Sequence, residues 1–349
     1  MEIFISILLL AIGIVMIVKG GDFFVDAASW IAEVSGLPQL LIGATIVSVA
    51  TTLPELIVSI IATAKGSVEI AVGNAVGSVV ANLGLIMAIS LFFMPGKVDR
   101  KQYWFKSTIL LVAVLNLFLS CYGGAIDADT GLHTLSVGMG LVVFELFIVF
   151  VAENVLTALR AMKHPITADS TGATVEMTAG GNAGEEEEEH EPAKKDKKSI
   201  IINILKFIGG AVGIVGGADL LVRYGQKLAL LAGVPEGVIA VTLVAIGTSL
   251  PELVTTITAI IKKKSSISVG NIIGANILDM TMILPICAMV SGGALIVPRE
   301  TLLLDIPFCL GLSAIAVIPM LITKKFHRWQ GIALFAVYAA YIALRIILT

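Results

Sequence analysis

Charge is scarce in this chain. Lys and Arg number 23 and Asp and Glu 26 among 349 residues, 14% together, where a soluble domain carries about a quarter. With 57% hydrophobic residues and a mean hydropathy of +0.98, that shortage excludes an ordinary water-soluble domain. Cysteine is also rare: Cys121, Cys287 and Cys309 are odd in number and lie in or beside apolar segments. No disulfide framework is implied, and all three read as packing residues. No His or Cys cluster offers the soft donors that zinc or copper prefers. The alternating pattern of a transmembrane barrel is missing, as is any nucleophile–base pair or cofactor motif, so neither an enzyme nor a bound organic cofactor is expected. The N-terminus lacks a basic leader region, with Glu2 ahead of an apolar run over 3–18. It reads as a retained helix instead of a cleaved signal. The net charge of −3 sits in loops and says little about partners; a lipid bilayer is expected and nucleic acid is not.

What is present is a succession of apolar runs of about 20 residues, the length a helix needs to cross the hydrocarbon. Ten spans are expected, roughly 3–28, 38–64, 69–94, 104–122, 132–158, 200–230, 236–261, 267–291, 301–321 and 328–347. Between the fifth and sixth, the sequence changes to Ser, Thr, Gly and Ala, then Glu185–Glu189 and Lys194–Lys198. That stretch lacks the apolar residues to fold alone. The expected organisation is a first five-helix unit over 1–162, a flexible linker over 163–198 and a second unit over 199–349. Lysine and arginine concentrate in the loops after spans 3, 5, 7 and 9, for example Lys97, Arg100, Lys101, then Lys262, Lys263, Lys264, then Lys324, Lys325, Arg328. The positive-inside rule places those loops and the linker in the cytoplasm and both termini outside, in the inner (plasma) membrane of the cell.

The two halves repeat at an offset of 197 residues. Gly43-Ala-Thr-Ile-Val-Ser-Val-Ala-Thr-Thr-Leu-Pro-Glu55-Leu matches Ala240-Val-Thr-Leu-Val-Ala-Ile-Gly-Thr-Ser-Leu-Pro-Glu252-Leu, and the register runs on through Gly73-Asn74 and Gly270-Asn271 to Asn82 and Asp279. Five spans is an odd number, so the halves insert with opposite topology and the architecture is an all-α polytopic membrane protein built of inverted repeats, with a site expected at their interface. Carboxylates at bilayer depth are costly and mark an ion or substrate path. Glu55 precedes the turn at Gly66 by 11 residues and Asn82 follows it by 16, roughly 16 and 24 Å of helix, so both lie well inside the membrane. Thr51, Thr52 and Glu55 share one helix face, as do Ser78 and Asn82. Pro54 loosens the carbonyl of Ala50 and Pro251 that of Gly247, and a bound cation can satisfy such carbonyls. The second half repeats the cluster with Thr248, Ser249, Glu252 and Asp279. Gly73 with Gly77 and Gly270 with Gly274 form small-residue pairs that permit close helix approach. An all-oxygen set of this kind suits a hard cation such as Ca²⁺, which takes six to eight oxygen ligands.

These segments resemble the alpha repeats of the cation/calcium antiporter superfamily, most closely its prokaryotic sodium/calcium exchangers; Thr-Ser-Leu-Pro-Glu at 248–252 is the most specific stretch. The resemblance implies ten helices, alternating access, and Ca²⁺ and Na⁺ sharing overlapping central sites. It assigns ion-ligand roles to Thr51, Thr52, Glu55, Ser78, Asn82, Thr248, Ser249, Glu252 and Asp279, and to backbone carbonyls near Ser48 and Ala245. The chain departs from the pattern at Ala50-Thr51-Thr52, where the family shows Gly-Thr-Ser, and at Ala275, where a serine paired with Ser78 is expected. One hydroxyl ligand is thereby missing. Leu-Pro-Glu argues against the proton/calcium branch, whereas Asp279 also resembles the potassium-dependent branch. A cation channel is the reading from another class, but channels draw rings of ligands from several subunits, while one chain here supplies a whole pseudo-symmetric set. A monomer therefore suffices for transport.

Other polar residues read as structural. Asp22 and Asp219 repeat near helix ends, Glu145 and Glu153 have no partner in the other half, and Glu185–Glu189 lacks EF-hand spacing. Lys194–Lys198 is placed against anionic lipid. Spans 1 and 6, long and poor in ligands, are expected to slide on the remainder, helped by glycines at 13, 20, 21, 213, 216 and 217.

Overall fold

Apolar runs in lipid must satisfy their backbone internally, which leaves helices as the form for these segments. The computed structural model describes residues 2–127, 131–163, 196–231 and 247–348. They form α1 (Glu2–Ser35), α2 (Gln39–Ala64), α3 (Val68–Phe93), α4 (Arg100–Tyr122), α5 (Val137–Lys163), α6 (Lys197–Leu231), α7 (Leu250–Ile261), α8 (Ser265–Val290), α9 (Thr301–Thr323) and α10 (Arg328–Leu348). Among the described residues, nine of these are long and apolar enough to cross a membrane, and the shorter α7 stands where the seventh span is expected. The expected first part of that span, like most of the linker with Glu185–Glu189 and Lys194, falls outside the described residues. The protein is a multi-pass, all-α membrane protein of ten helices in two inverted five-helix repeats.

The two hairpins that carry the repeated motifs, α2–α3 and α7–α8, form the centre. α3 and α8 are the most buried helices, and one apolar core draws Val76, Val79 and Leu83 of α3 together with Ile272, Ile277 and Met280 of α8. The crossing of α2 over α8 depends on glycine. A Cβ at Gly43 would stand 2.5 Å from the Ile267 carbonyl, one at Gly270 2.6 Å from the Leu40 carbonyl, and one at Gly274 2.6 Å from the Ser48 hydroxyl. The close approach expected of Gly270 and Gly274 is therefore present. For Gly73 and Gly77 the facing stretch by inverted symmetry, around Ala240, lies outside the described residues.

Each half's last two helices are joined by a buried ion pair, at opposite faces of the molecule. Lys106 near the start of α4 donates to Glu153 of α5 at 3.0 Å. Near the start of α9, Asp305 accepts from the Tyr341 hydroxyl at 3.0 Å and faces Arg345 of α10 at 3.5 Å. Short antiparallel strand pairs cross-link the halves in the same inverted fashion. On the face bearing the basic loops, β1 (Gly96–Lys97) pairs with β4 (Lys325–Phe326); on the opposite face β2 (Thr134–Ser136) pairs with β3 (Ala294–Ile296). The fifth span accordingly starts at Val137 and not at the expected 132, because Thr134–Ser136 is taken up by that pairing.

α1 and α6 pack along one another outside this core. Their seam is lined by Gly13, Gly20, Gly210, Gly213 and Gly217, where added Cβ atoms would meet backbone of the facing helix at 2.6–3.2 Å. Gly21 faces Thr258 and Val254 of α7 instead, and Gly216 meets only the end of the Met16 side chain; these two do not belong to the seam. Gly20→Ala, whose Cβ would lie 2.8 Å from the Ile214 backbone nitrogen, is expected to lower stability by about 1–3 kcal/mol in thermal unfolding of the purified protein. Gly216→Ala should leave the transition within error of the parent.

Candidate ion-binding site

The central hairpins bring the predicted residues to one level between the halves. α2 contributes Ser48, Thr51, Thr52 and Glu55, α3 Ser78 and Asn82, α7 Glu252 with Ser249 at its N-terminus, and α8 Asp279. All nine side chains are at most 3% exposed. Thr248 is only half-buried, and Ala245 lies outside the described residues. Glu55 is close enough to both Glu252 and Asp279 for their charges to act on it, and Asp279 likewise feels Glu252. Thus the three carboxylates from opposite halves form one electrostatic unit.

Backbone irregularities coincide with these residues. A π-helical turn begins at Asn82 in α3 and another at Asp279 in α8, at matching repeat positions. A third spans Gly43–Val47, immediately before Ser48. Such turns interrupt the regular ladder and recur at functional sites. Pro54 lies within continuous helix, as expected. Pro251 does not: it sits in the first turn of α7, where a missing N–H costs nothing, and the helix starts afresh after Thr248 and Ser249. Over the described residues the two motifs thus differ in backbone around their prolines, with Glu252 in a first turn whose dipole favours an anion.

The polar atoms of this cluster are largely without protein partners. Both carboxylate oxygens of Glu55 and of Asp279, Oε2 of Glu252, Oδ1 of Asn82 and the hydroxyls of Thr52, Ser78 and Ser249 are buried and have no hydrogen-bond partner among the described residues. Buried polar groups are nearly always paired, so a concentration of orphans needs a partner from elsewhere. Converging acceptor oxygens fit a hard cation. Among the described residues no three His, Cys, Asp or Glu side chains close into a single ligand group; the set works only with its amide and hydroxyl members included.

A family model described as sodium/calcium exchanger protein matches residues 5–155 and 202–347. The chain belongs to that family. It is 30% identical to an uncharacterized membrane protein of Methanocaldococcus jannaschii over 95% of each chain. It is 28% identical to the sodium/calcium exchanger MaX1 of Methanosarcina acetivorans over 97% of each. A solved structure of the sodium-calcium exchanger NCX_Mj soaked with Na⁺ and Sr²⁺ superposes with a TM-score of 0.74 at 26% identity, covering 98% of this chain and 99% of that one. The protein is thus a prokaryotic member of the cation/calcium antiporter superfamily and a transporter by family.

Two residues of this exchanger-family centre were used above only as markers of register. Asn74 donates to the Glu55 carbonyl at 3.3 Å and to the Ser59 hydroxyl at 3.0 Å, fixing the turn that carries the carboxylate. Asn271, its repeat partner, accepts from the Thr51 hydroxyl at 3.1 Å, and Thr51 is also within hydrogen-bonding reach of Glu252. Their shared offset and their polarity inside apolar spans were the available signal. Ser59 and Thr256, buried and again 197 apart, extend the polar face one turn beyond each glutamate. Asn276 is buried with both amide atoms unpaired; its repeat partner is Val79, so no internal match announces it. The missing hydroxyl is seen directly at Ala275, fully buried in α8. Asn271→Ala, which frees Thr51 without touching a carboxylate, is expected to weaken apparent Ca²⁺ affinity about tenfold, the equivalent of one hydrogen bond to a charged site. A flux titration showing unchanged affinity would remove Asn271 from the site.

Proposed function

We propose that this protein is a secondary antiporter that exchanges Ca²⁺ for Na⁺ through the centre formed by Glu55, Asn82, Glu252 and Asp279, with Thr51, Thr52, Ser78, Thr248, Ser249 and the backbone near Ser48 and Ala245 as further donors. The observation that carries this reading is the meeting of three carboxylates from two inverted halves among orphaned oxygens at bilayer depth. Unneutralised, three acids in a dry interior repel one another and lose hydration. A calcium ion satisfies them with two charges, or several sodium ions do so in its place. Both cannot bind fully because they use the same carboxylates, and this competition couples the fluxes. The likeness to the sodium/calcium exchangers MaX1 and NCX_Mj supports Na⁺ and Ca²⁺ as the exchanged ions.

The positive-inside rule puts the basic face, with Lys97, Arg100, Lys101, Lys262–Lys264, Lys324 and Lys325, in the cytoplasm. Alternating access then consists of α1 and α6, joined to each other along their glycine seam, moving together against the other eight helices. On the basic face α1 is tied to the central hairpin: Lys262, just beyond α7, reaches Asp26 at 2.8 Å and Asp22 at 3.4 Å, and Lys264 reaches Glu33 at 3.8 Å. On the opposite face the matching acid, Asp219, is taken by Arg223 of its own helix at 2.7 Å. These contacts favour closure of the basic side. Partial burial opposes the Lys262 ammonium, but Asp26 and Asp22 outweigh it and hold its pKa above the ordinary lysine value. A raised lysine contributes fully below its unfolded pKa and is lost as pH rises through the folded one, so the tie holds throughout the neutral range.

In proteoliposomes with Na⁺, K⁺ and H⁺ gradients varied separately, Ca²⁺ flux is expected to follow the Na⁺ gradient and to ignore a pH gradient alone. Dependence on K⁺ in addition would select the potassium-dependent branch, and a current persisting without any counter-gradient would select a channel. Glu55→Gln and Glu252→Gln should each reduce exchange by at least a hundredfold with normal insertion. Unchanged flux in both would refute the site. Lys262→Gln, by releasing α1, is expected to improve apparent Ca²⁺ affinity from the basic side severalfold; the idea of a tie fails if affinity from that side is unaltered.

A further inference from the structure

The β1–β4 pair draws the loop between α3 and α4 against the loop between α9 and α10, with the Val98 N–H donating to the Lys324 carbonyl at 3.0 Å. Beside it opens a cavity of about 650 Å³ lined by Val98, Asp99, Arg100, Lys101, Trp104 and Lys324. Three basic residues and one acid line this space, largely through the carbon atoms of their side chains. The acid is already engaged: Asp99 caps α4, accepting from the Lys101 N–H at 3.0 Å and from the Gln102 amide at 3.2 Å. Among the described residues Arg100, Lys101 and Lys324 form no ion pair. Arg100 instead lies over the Trp104 ring at 5.5 Å. Trp104, half-exposed in the second turn of α4, and Trp329, half-exposed at the start of α10, mark the level at which the helices leave the hydrocarbon, where tryptophan collects.

The opposite face offers a comparison within the molecule. Before α9, Arg299 and Glu300 stand beside the β2–β3 pair, one charge of each sign, where the β1–β4 clasp gathers Arg100, Lys101 and Lys324. The topology rule accounts for basic residues somewhere in these loops. It does not account for three of them, from two loops, converging on one cavity whose acid is neutralised by its own helix.

We propose that this cavity binds the phosphodiester headgroup of an anionic phospholipid from the leaflet at the basic face, with Trp104 at the boundary between headgroup and acyl chain. Guanidinium and ammonium groups supply the charge-assisted hydrogen bonds that phosphate oxygens accept, and basic pockets between helices on this side suit such lipids. The half-exposed indole at the rim favours a lipid over a free anion, since it offers apolar surface that inorganic phosphate cannot use.

The test uses the full chain in phosphatidylcholine vesicles. Three tryptophans are present, so Trp30→Phe with Trp329→Phe leaves Trp104 as the reporter. Brominated phosphatidylglycerol is expected to quench it at several-fold lower mole fraction than brominated phosphatidylcholine. Lys101→Gln with Lys324→Gln should reduce that preference by roughly fivefold per charge removed, while Lys101→Arg with Lys324→Arg should preserve it. Equal quenching by the two lipids, or a preference that survives the glutamine pair, overturns the proposal. So does restoration of fluorescence by millimolar inorganic phosphate, which would identify a soluble anion as the occupant. Ca²⁺ flux is not the readout, so failure here leaves the exchange reading standing, and the reverse.

Discussion

Three carboxylates held away from water in mutual electrostatic reach impose the condition that the rest of the molecule serves. Ionised and alone they lose hydration and repel each other; on the exchange reading proposed above, bound cations relieve both costs. Neither half supplies the set by itself, because Glu55 and Asn82 come from one hairpin and Glu252 and Asp279 from the other. The halves must therefore meet closely at their centres. The meeting is permitted by Gly43, Gly270 and Gly274, where any side chain would run into the facing helix.

Around that centre the two halves are fastened to one another and a single helix pair is left with a different kind of contact. Buried ion pairs close α4 on α5 and α9 on α10, and strand clasps at both faces tie loops of one repeat to loops of the other. These contacts are directional and would not survive sliding. The α1–α6 seam is built of backbone against glycine, which allows close contact without interlocking side chains. Where α1 does meet the central hairpin on the basic face, it does so through solvent-accessible ion pairs of Lys262 and Lys264, contacts that are weak individually and easily exchanged. The distribution of contact types thus sets the α1–α6 pair apart from the other eight helices.

Inverted repetition explains much of the architecture and also isolates what is particular to one side. Equivalent positions carry π-helical turns at Asn82 and Asp279, and glutamates at 55 and 252. Departures from equivalence are then informative. Helix α2 is continuous through Pro54 whereas α7 begins at Leu250 after a turn at Thr248 and Ser249, and three cations gather beside one strand clasp where Arg299 and Glu300 stand beside the other.

The sequence by itself determined the membrane class, the helical content, the repeat and its inversion, and the identity of the acids, because each is written in hydropathy, spacing and parity along the chain. It also named the hydroxyls that flank those acids, since residues three and four apart share a helix face. Only the tertiary structure decided which polar residues bind one another across the repeats, as Thr51 does with Asn271 and Asn74 with the Glu55 carbonyl. It alone placed Pro251 at a helix start, put Gly270 and Gly274 against α2, and assigned Glu153 to Lys106. Those outcomes depend on how two helices cross, and crossing is a property of paired surfaces that no single strip of sequence contains.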